Sequence, residues 1–230
     1  MKKKFIVSLA ILGVVVVVII GAVIIFTSPQ DLGVRYTKAD LNSVNNKLSI
    51  SYGSLAASSD PASSIRISGK KTLDQAFTQS ELTALLNQPS GQWKNYPLSD
   101  IQMRINADGT IEMSGKILVN RFEAYSKATN IPYKYTSLVE DKINLVPVNP
   151  SFYYKGNYEV KNGRLEGEMT QIKVGPLEVP KNWTDNNKDF ITGFVDDRLN
   201  SAGMKVESAT FSSGKLDIKG TIPEKIEFEQ

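Results

Sequence analysis

Serine and lysine recur at the spacing of a serine-lysine acyltransferase in Ser68-Gly69-Lys70-Lys71 and in Ser212-Ser213-Gly214-Lys215. In such a site the lysine sits near the nucleophilic hydroxyl, and S-D-N and K-T-G elements complete the machinery. Those elements are absent, and the second copy falls between two predicted strands, so turn chemistry accounts for both. Asn106-Ala107-Asp108-Gly109 has the flavour of a calcium loop. However, Arg104 stands where the first carboxylate ligand belongs, and no bidentate glutamate follows at loop position twelve. Asp196 and Asp197 are adjacent on a predicted helix and point about 100° apart, which suits a solvated face better than an acid-base pair. Gly69-Lys70 and Gly115-Lys116 lack the upstream glycine and following hydroxyl of a phosphate loop. Asn182-Trp183-Thr184 is a glycosylation sequon only in a eukaryotic secretory setting. Phe152-Tyr153-Tyr154 with Tyr158 could stack on sugars or line an apolar groove; an ordinary strand rich in β-formers explains the same residues.

The chain contains no histidine and no cysteine. This removes the Ser-His-Asp triad, the Cys-His pair, the histidine general base and the common zinc sites. The expectation is a non-catalytic protein with no metal site and no cofactor. Stability must come from a hydrophobic core, because disulfides are impossible.

The elements that position these residues are legible in part. Thr37 followed by Asp40, and Thr78 followed by Glu81, each place a threonine cap three residues before a carboxylate, with an apolar residue ahead of the cap. The first predicts a helix to about Leu48. The second predicts one to about Asn87 that stops before Pro89. Residues 51–64 between them are small and polar and read as a loop, after which Ile65-Arg66-Ile67 can open a short strand.

Ile101, Met103 and Ile105 alternate with polar residues. The turn 106–109 follows, and Ile111, Met113, Ile117 and Val119 resume the two-residue period, which predicts a hairpin with one apolar face. Asn162-Gly163 predicts a type I′ turn in a second hairpin. In its second strand Ile172 and Val174 fall on the opposite parity from Leu165 and Met169, so a bulge near Thr170 is expected. A short helix near 121–129, a last helix over 185–201 and two strands, 206–211 and 216–222, complete an α+β pattern.

Ahead of this domain, Phe5 to Phe26 is a 22-residue run without charge. As a helix it would be about 33 Å long, matching the roughly 30 Å hydrocarbon core of a bilayer. Lys2, Lys3 and Lys4 precede it and no basic residue follows until Arg35, which places the amino terminus in the cytoplasm and the rest outside. A cleaved signal peptide would have a shorter apolar region and an A-x-A-like site, and neither is present. The division expected is a cytoplasmic stub at 1–4, an anchor at 5–26, a tether at 27–33, an extracytoplasmic domain at 34–223 and a tail at 224–230. The three anchor lysines account for the whole net charge of +3; setting them aside reduces the 27 basic residues to 24, equal to the 24 acidic ones. A neutral domain argues against nucleic acid and against a polyanionic polymer as partner.

The segments FTQSELTALLN, PLSDIQMRINADGTIEMSGKI, FYYKGNYEVKNGRLEGEMTQIKVGPLEVP and SSGKLDIKGTIP, in this order, resemble membrane-anchored envelope proteins of Gram-positive bacteria and, more distantly, bacterial tubular lipid-binding (TULIP-like) domains. The likeness spans 34–223 and room exists for one module only. It implies a curved antiparallel sheet packed on a long helix, with an acyl chain held between them. On that reading Ile101, Met103, Ile105, Met113, Met169, Phe190 and Phe194 line an apolar groove, the methionines giving it an adaptable surface; each would look the same in a dry core. The implied function is binding of a lipid or other hydrophobic ligand at the cell membrane. The alternative is a scaffold or regulatory partner of an envelope protein assembly.

Overall fold

The computed structural model describes residues 26–134, 136, 149–201 and 203–229. The predicted anchor at 5–26 lies outside them except for Phe26, and among the described residues no helix is long and apolar enough to cross a membrane.

Helix α1 (Lys38–Leu48) opens on the predicted capping box, in which the Thr37 amide donates to Asp40 Oδ2 at 2.8 Å. Strand β1 (Ser51–Leu55), strand β2 (Ile65–Ser68) and strand β3 (Lys71–Thr78) follow. Helix α2 (Gln79–Gln92) repeats the box at Thr78, and its Glu81 also accepts from Ser43 Oγ at 2.5 Å and Lys47 Nζ at 2.8 Å. This buried carboxylate therefore joins α1 to α2. The helix continues through Pro89, against expectation. A proline in the last turn forfeits one hydrogen bond, and the Trp93 amide closes the end by donating to the Pro89 carbonyl at 2.8 Å. Trp93 itself is anchored by packing against Phe228 and Tyr125.

Strands β4 (Leu98–Ile105) and β5 (Ile111–Ile117) form the first hairpin, and helix α3 (Phe122–Ala128) follows. Strands β6 (Ser151–Lys161) and β7 (Arg164–Val174) form the second. Asn162 and Gly163, at φ of 52° and 77°, adopt the left-handed pair that a type I′ turn needs. Lys155 pairs with Gln171 while Gly156 pairs with Met169, which leaves Thr170 as the bulged residue, where the change of parity put it.

Strand β8 (Leu177–Glu178) leads to helices α4 (Lys181–Asn186) and α5 (Lys188–Leu199). The single helix expected over 185–201 is thus two. Asn187 interrupts it by directing both its amide and its Nδ2 to the Trp183 carbonyl, at 3.1 and 2.7 Å, and so caps α4. Strands β9 (Lys205–Ser212), β10 (Lys215–Ile222) and β11 (Lys225–Glu229) complete the chain.

The main sheet runs β3-β10-β9-β6-β5-β4, with β7 and β8 beyond β6. β7 pairs with β6 along nearly all its length, so it occupies one whole edge. The opposite edge is shared end to end: β5 takes residues 151–156 and β9 meets Val160. Because one strand feeds two diverging partners, the sheet curls strongly into an antiparallel half-barrel. Its concave side holds the main core, in which Val44, Leu48 and Leu82 from α1 and α2 meet Leu73, Phe77, Ile105, Val160, Val206, Leu216 and Ile222 from the strands.

β4 is an edge strand, and α2 covers it with a ladder of side chains. Gln79, Thr83 and Asn87 recur every fourth residue, about 6 Å apart on a helix; Ile105, Met103 and Ile101 recur every second residue, about 6.8 Å apart on a strand. The Ile105 amide donates to Gln79 Oε1 at 3.1 Å and the Met103 amide to Thr83 Oγ1 at 3.1 Å. Asn87 both accepts from the Ile101 amide at 2.9 Å and donates to its carbonyl at 2.7 Å.

Two regions depart from the division expected. Of the tail expected at 224–230, residues 224–229 are no free tail, since β11 is the centre of a second sheet, parallel to β1 and antiparallel to β2. The loop expected at 51–64 accordingly contains β1 and a capped turn at Pro61–Ser63. The residues 27–33 are no free tether either. Leu32 is buried with Val34 and Tyr153 on the convex side, and its amide donates to Gln102 Oε1 at 2.9 Å.

Candidate functional site

Register decides which of the predicted groove residues meet. Met103 pairs with Met113, Met113 with Tyr154, and Tyr154 with Ile172, which makes one row across β4, β5, β6 and β7. The row beside it is Ile105, Ile111, Gly156 and Met169. Directly opposed residues share a face, and Ile105, Ile111 and Met103 pack into the main core, so both rows lie on the concave side. At a strand spacing of about 4.8 Å each row is roughly 14 Å wide. At Gly156 the second row carries no side chain, and the rings of Tyr154 and Tyr158 fill that space: a Cβ there would come within 2.6 Å of Tyr154 Oη and 2.8 Å of Tyr158 Cε2. The two tyrosines stack above it with ring centroids 6.2 Å apart. Burial raises the Tyr154 hydroxyl well above the usual phenol range, so it acts as a neutral hydrogen-bonding group.

The row members differ in burial. Ile101 and Ile105 are fully buried, whereas Met103, Met113, Tyr154, Tyr158, Met169 and Ile172 remain half-buried. Phe190 and Phe194 lie on α5, which has no fully buried residue; Phe190, Ile191, Phe194, Val195 and Leu199 are all partly exposed. The pair α4–α5 is laid on β7, where Asp196 Oδ1 accepts from the Leu165 amide at 2.9 Å. Between these layers is a crevice of about 60 Å³ that includes Tyr158, Met169, Thr184, Lys188 and Ile191. Met169 is therefore brought to the last helices, and Met103 and Met113 lie further along the same face. Ile101 is set apart, locked beneath Asn87 of α2.

The convex side carries a polar cluster that sequence reasoning missed. Glu112, only 4 % exposed, accepts from Arg104 Nη2 at 2.6 Å and Asn106 Nδ2 at 2.9 Å, and from Tyr153 Oη at 2.7 Å. Burial opposes its charge, but these donors outweigh it and hold the carboxyl at about 2. Desolvation, then the hydrogen bond and charge of Glu112, push Tyr153 up to about 12. A carboxylate that stays ionised, with donors on both oxygens, neither gives nor takes a proton near neutrality. The cluster is structural: it pins β4, β5 and β6 beneath Leu32. Its signal was present, since a turn over 106–109 sets Arg104 opposite Glu112.

The motifs weighed for catalysis have structural roles. Lys71 Nζ bonds the Ser49 carbonyl, and Ser212 pairs with Lys215 across a hairpin turn. Asp108 Oδ1 accepts from the Thr110 amide and hydroxyl within its turn. Among the described residues no group of acidic side chains is arranged to hold a metal.

The class defined by these features is an α+β domain built on a strongly curled antiparallel half-barrel whose concave face is partly covered by short helices. No protein family, curated protein or solved structure matches the chain.

Proposed function

We propose that this chain is a non-catalytic module that binds a lipid or other hydrophobic ligand at the cell membrane, held there by residues 5–26 with its domain on the extracytoplasmic side. The observation that carries the reading is the pair of apolar rows across β4 to β7, rich in methionine and half-buried apart from Ile105 and Gly156, whose β7 end lies under a helix none of whose residues is fully buried. Methionines accommodate varied shapes, and α5 is the natural cover. The crevice of about 60 Å³ is smaller than the roughly 300 Å³ of small ligand pockets. Entry of an acyl chain therefore requires α4 and α5 to lift from β7.

That same small volume favours a second reading, a scaffold or regulatory partner of an envelope assembly that binds protein through its surface. Native mass spectrometry of the full chain, released from membranes in polymer nanodiscs and then stripped of bulk lipid, separates the two. A retained lipid that is lost on Met169→Lys supports the first. A chain that retains none, yet crosslinks reproducibly to one protein neighbour in cells, replaces it with the second.

A further inference from the structure

The end of the apolar run is fixed in space. Phe26 is helical, its carbonyl accepts from Ser151 Oγ at 3.1 Å, and its ring lies so close to Gly175 that a Cβ there would meet Cδ1 at 2.7 Å. The last residue of the run thus touches the start of β6 and the turn after β7, with no spacer between. Two residues beyond Gly175, at most about 7 Å of chain, Leu177 stands 64 % exposed on the two-residue strand β8. Trp183, the next large apolar side chain along, is 45 % exposed. A leucine so exposed beside the exit of a bilayer-length apolar segment has an apolar phase within reach, and tryptophan is the residue enriched where hydrocarbon meets headgroups. The surrounding charges, Lys173 and Lys181 against Glu178 and Asp185, nearly cancel. Contact with lipid would accordingly rest on apolar insertion rather than on attraction to anionic headgroups.

From this placement we propose that the β7–β8 turn, with Leu177 at its tip, docks into the interfacial region of the bilayer that holds residues 5–26. The inference rests on the bilayer insertion put forward above, and it adds an orientation: β6 and β7 stand with the Phe152–Val174 end toward the membrane and the Asn162–Gly163 turn away from it. The apolar rows on the concave face would then begin two residue pairs from the membrane end of the hairpin, since Tyr154–Ile172 is the next pair on the same face as Phe152–Val174.

The absence of native cysteine makes the test clean. Full-length Leu177→Cys and Arg164→Cys, each carrying a fluorescent label, are placed in nanodiscs of phosphatidylcholine and phosphatidylglycerol containing a lipid nitroxide near the headgroups. Arg164 is exposed and lies about 34 Å from the membrane end of β7. The expected result is quenching of the label at 177 by at least about two-fold with none at 164, and a docked population about ten-fold smaller when Trp183→Ser is added to the 177 variant. Equal quenching at both positions, or none at either, in a chain that resists alkaline extraction overturns the docking alone. Extraction of the chain at alkaline pH overturns the insertion and the docking with it.

Discussion

Replacing Glu112 by glutamine keeps the shape of the side chain and removes its charge, and the resulting loss of stability should depend on pH. The carboxyl titrates at about 2 in the folded protein against a reference of 4.5. Its preference for the folded state is therefore fully expressed above pH 4.5 and lost as the pH falls toward 2. A depression of this size corresponds to about 3 kcal/mol at neutral pH. Arg104 keeps 40 % of its side chain in solvent, which screens the pair, so about 2–3 kcal/mol is the reasonable range. By pH 3 the contribution shrinks to about 40 % of its neutral value. For a chain of this size the neutral-pH deficit of Glu112→Gln should lower the midpoint of thermal unfolding by about 5–10 °C. Near-UV circular dichroism of both full-length proteins in non-ionic detergent at pH 7, 5 and 3 reads the gap directly. A gap that is the same at pH 7 and pH 3, or absent at both, refutes the assignment of Glu112 as an ionised buried clamp.

Two further substitutions probe the framework. Asn87→Leu leaves both backbone groups of buried Ile101 without partners; it should cost about 2–4 kcal/mol and speed hydrogen exchange at the Ile101 amide, whereas unchanged exchange would show that the side-chain ladder does not protect β4. Phe228→Ala removes the ring stacked on Trp93 at 5.7 Å; a cost of about 3–5 kcal/mol is expected, with a red shift of tryptophan emission, and an unshifted spectrum would count against that packing.

Elements defined by neighbours in sequence were readable. The two threonine caps, the Asn-Gly turn and the bulge at Thr170 each follow from residues within a few positions of one another, where local chemistry decides. β1 and β11 were not, because Ser51–Leu55 finds its partner at Lys225–Glu229, and a five-residue strand with Gly53 in its middle carries little alternation of its own. Pro89 misled because tertiary anchoring of Trp93 outweighs one lost hydrogen bond. Among the site residues, parity correctly put Met103, Ile105 and Met113 on one face. It could not tell that Ile101, of the same parity, would be sealed by Asn87, or that Asn187 would break the last helix. Glu112 escaped notice because a single acid in an alternating strand reads as a solvated face until its strand partner is considered.

The central position of β11 has a consequence for how the molecule is made. A ribosome must extend the chain through residue 229 before β1 and β2 have anything to pair with, and before Trp93 can find Phe228. The half-barrel can close once β10 is available, some residues earlier. Assembly should therefore proceed in two stages during biosynthesis, with the aromatic end completing last and the separation between its paired segments making it slow. A chain truncated after residue 223 should already protect β3 to β10 from protease while leaving 51–68 open to cleavage.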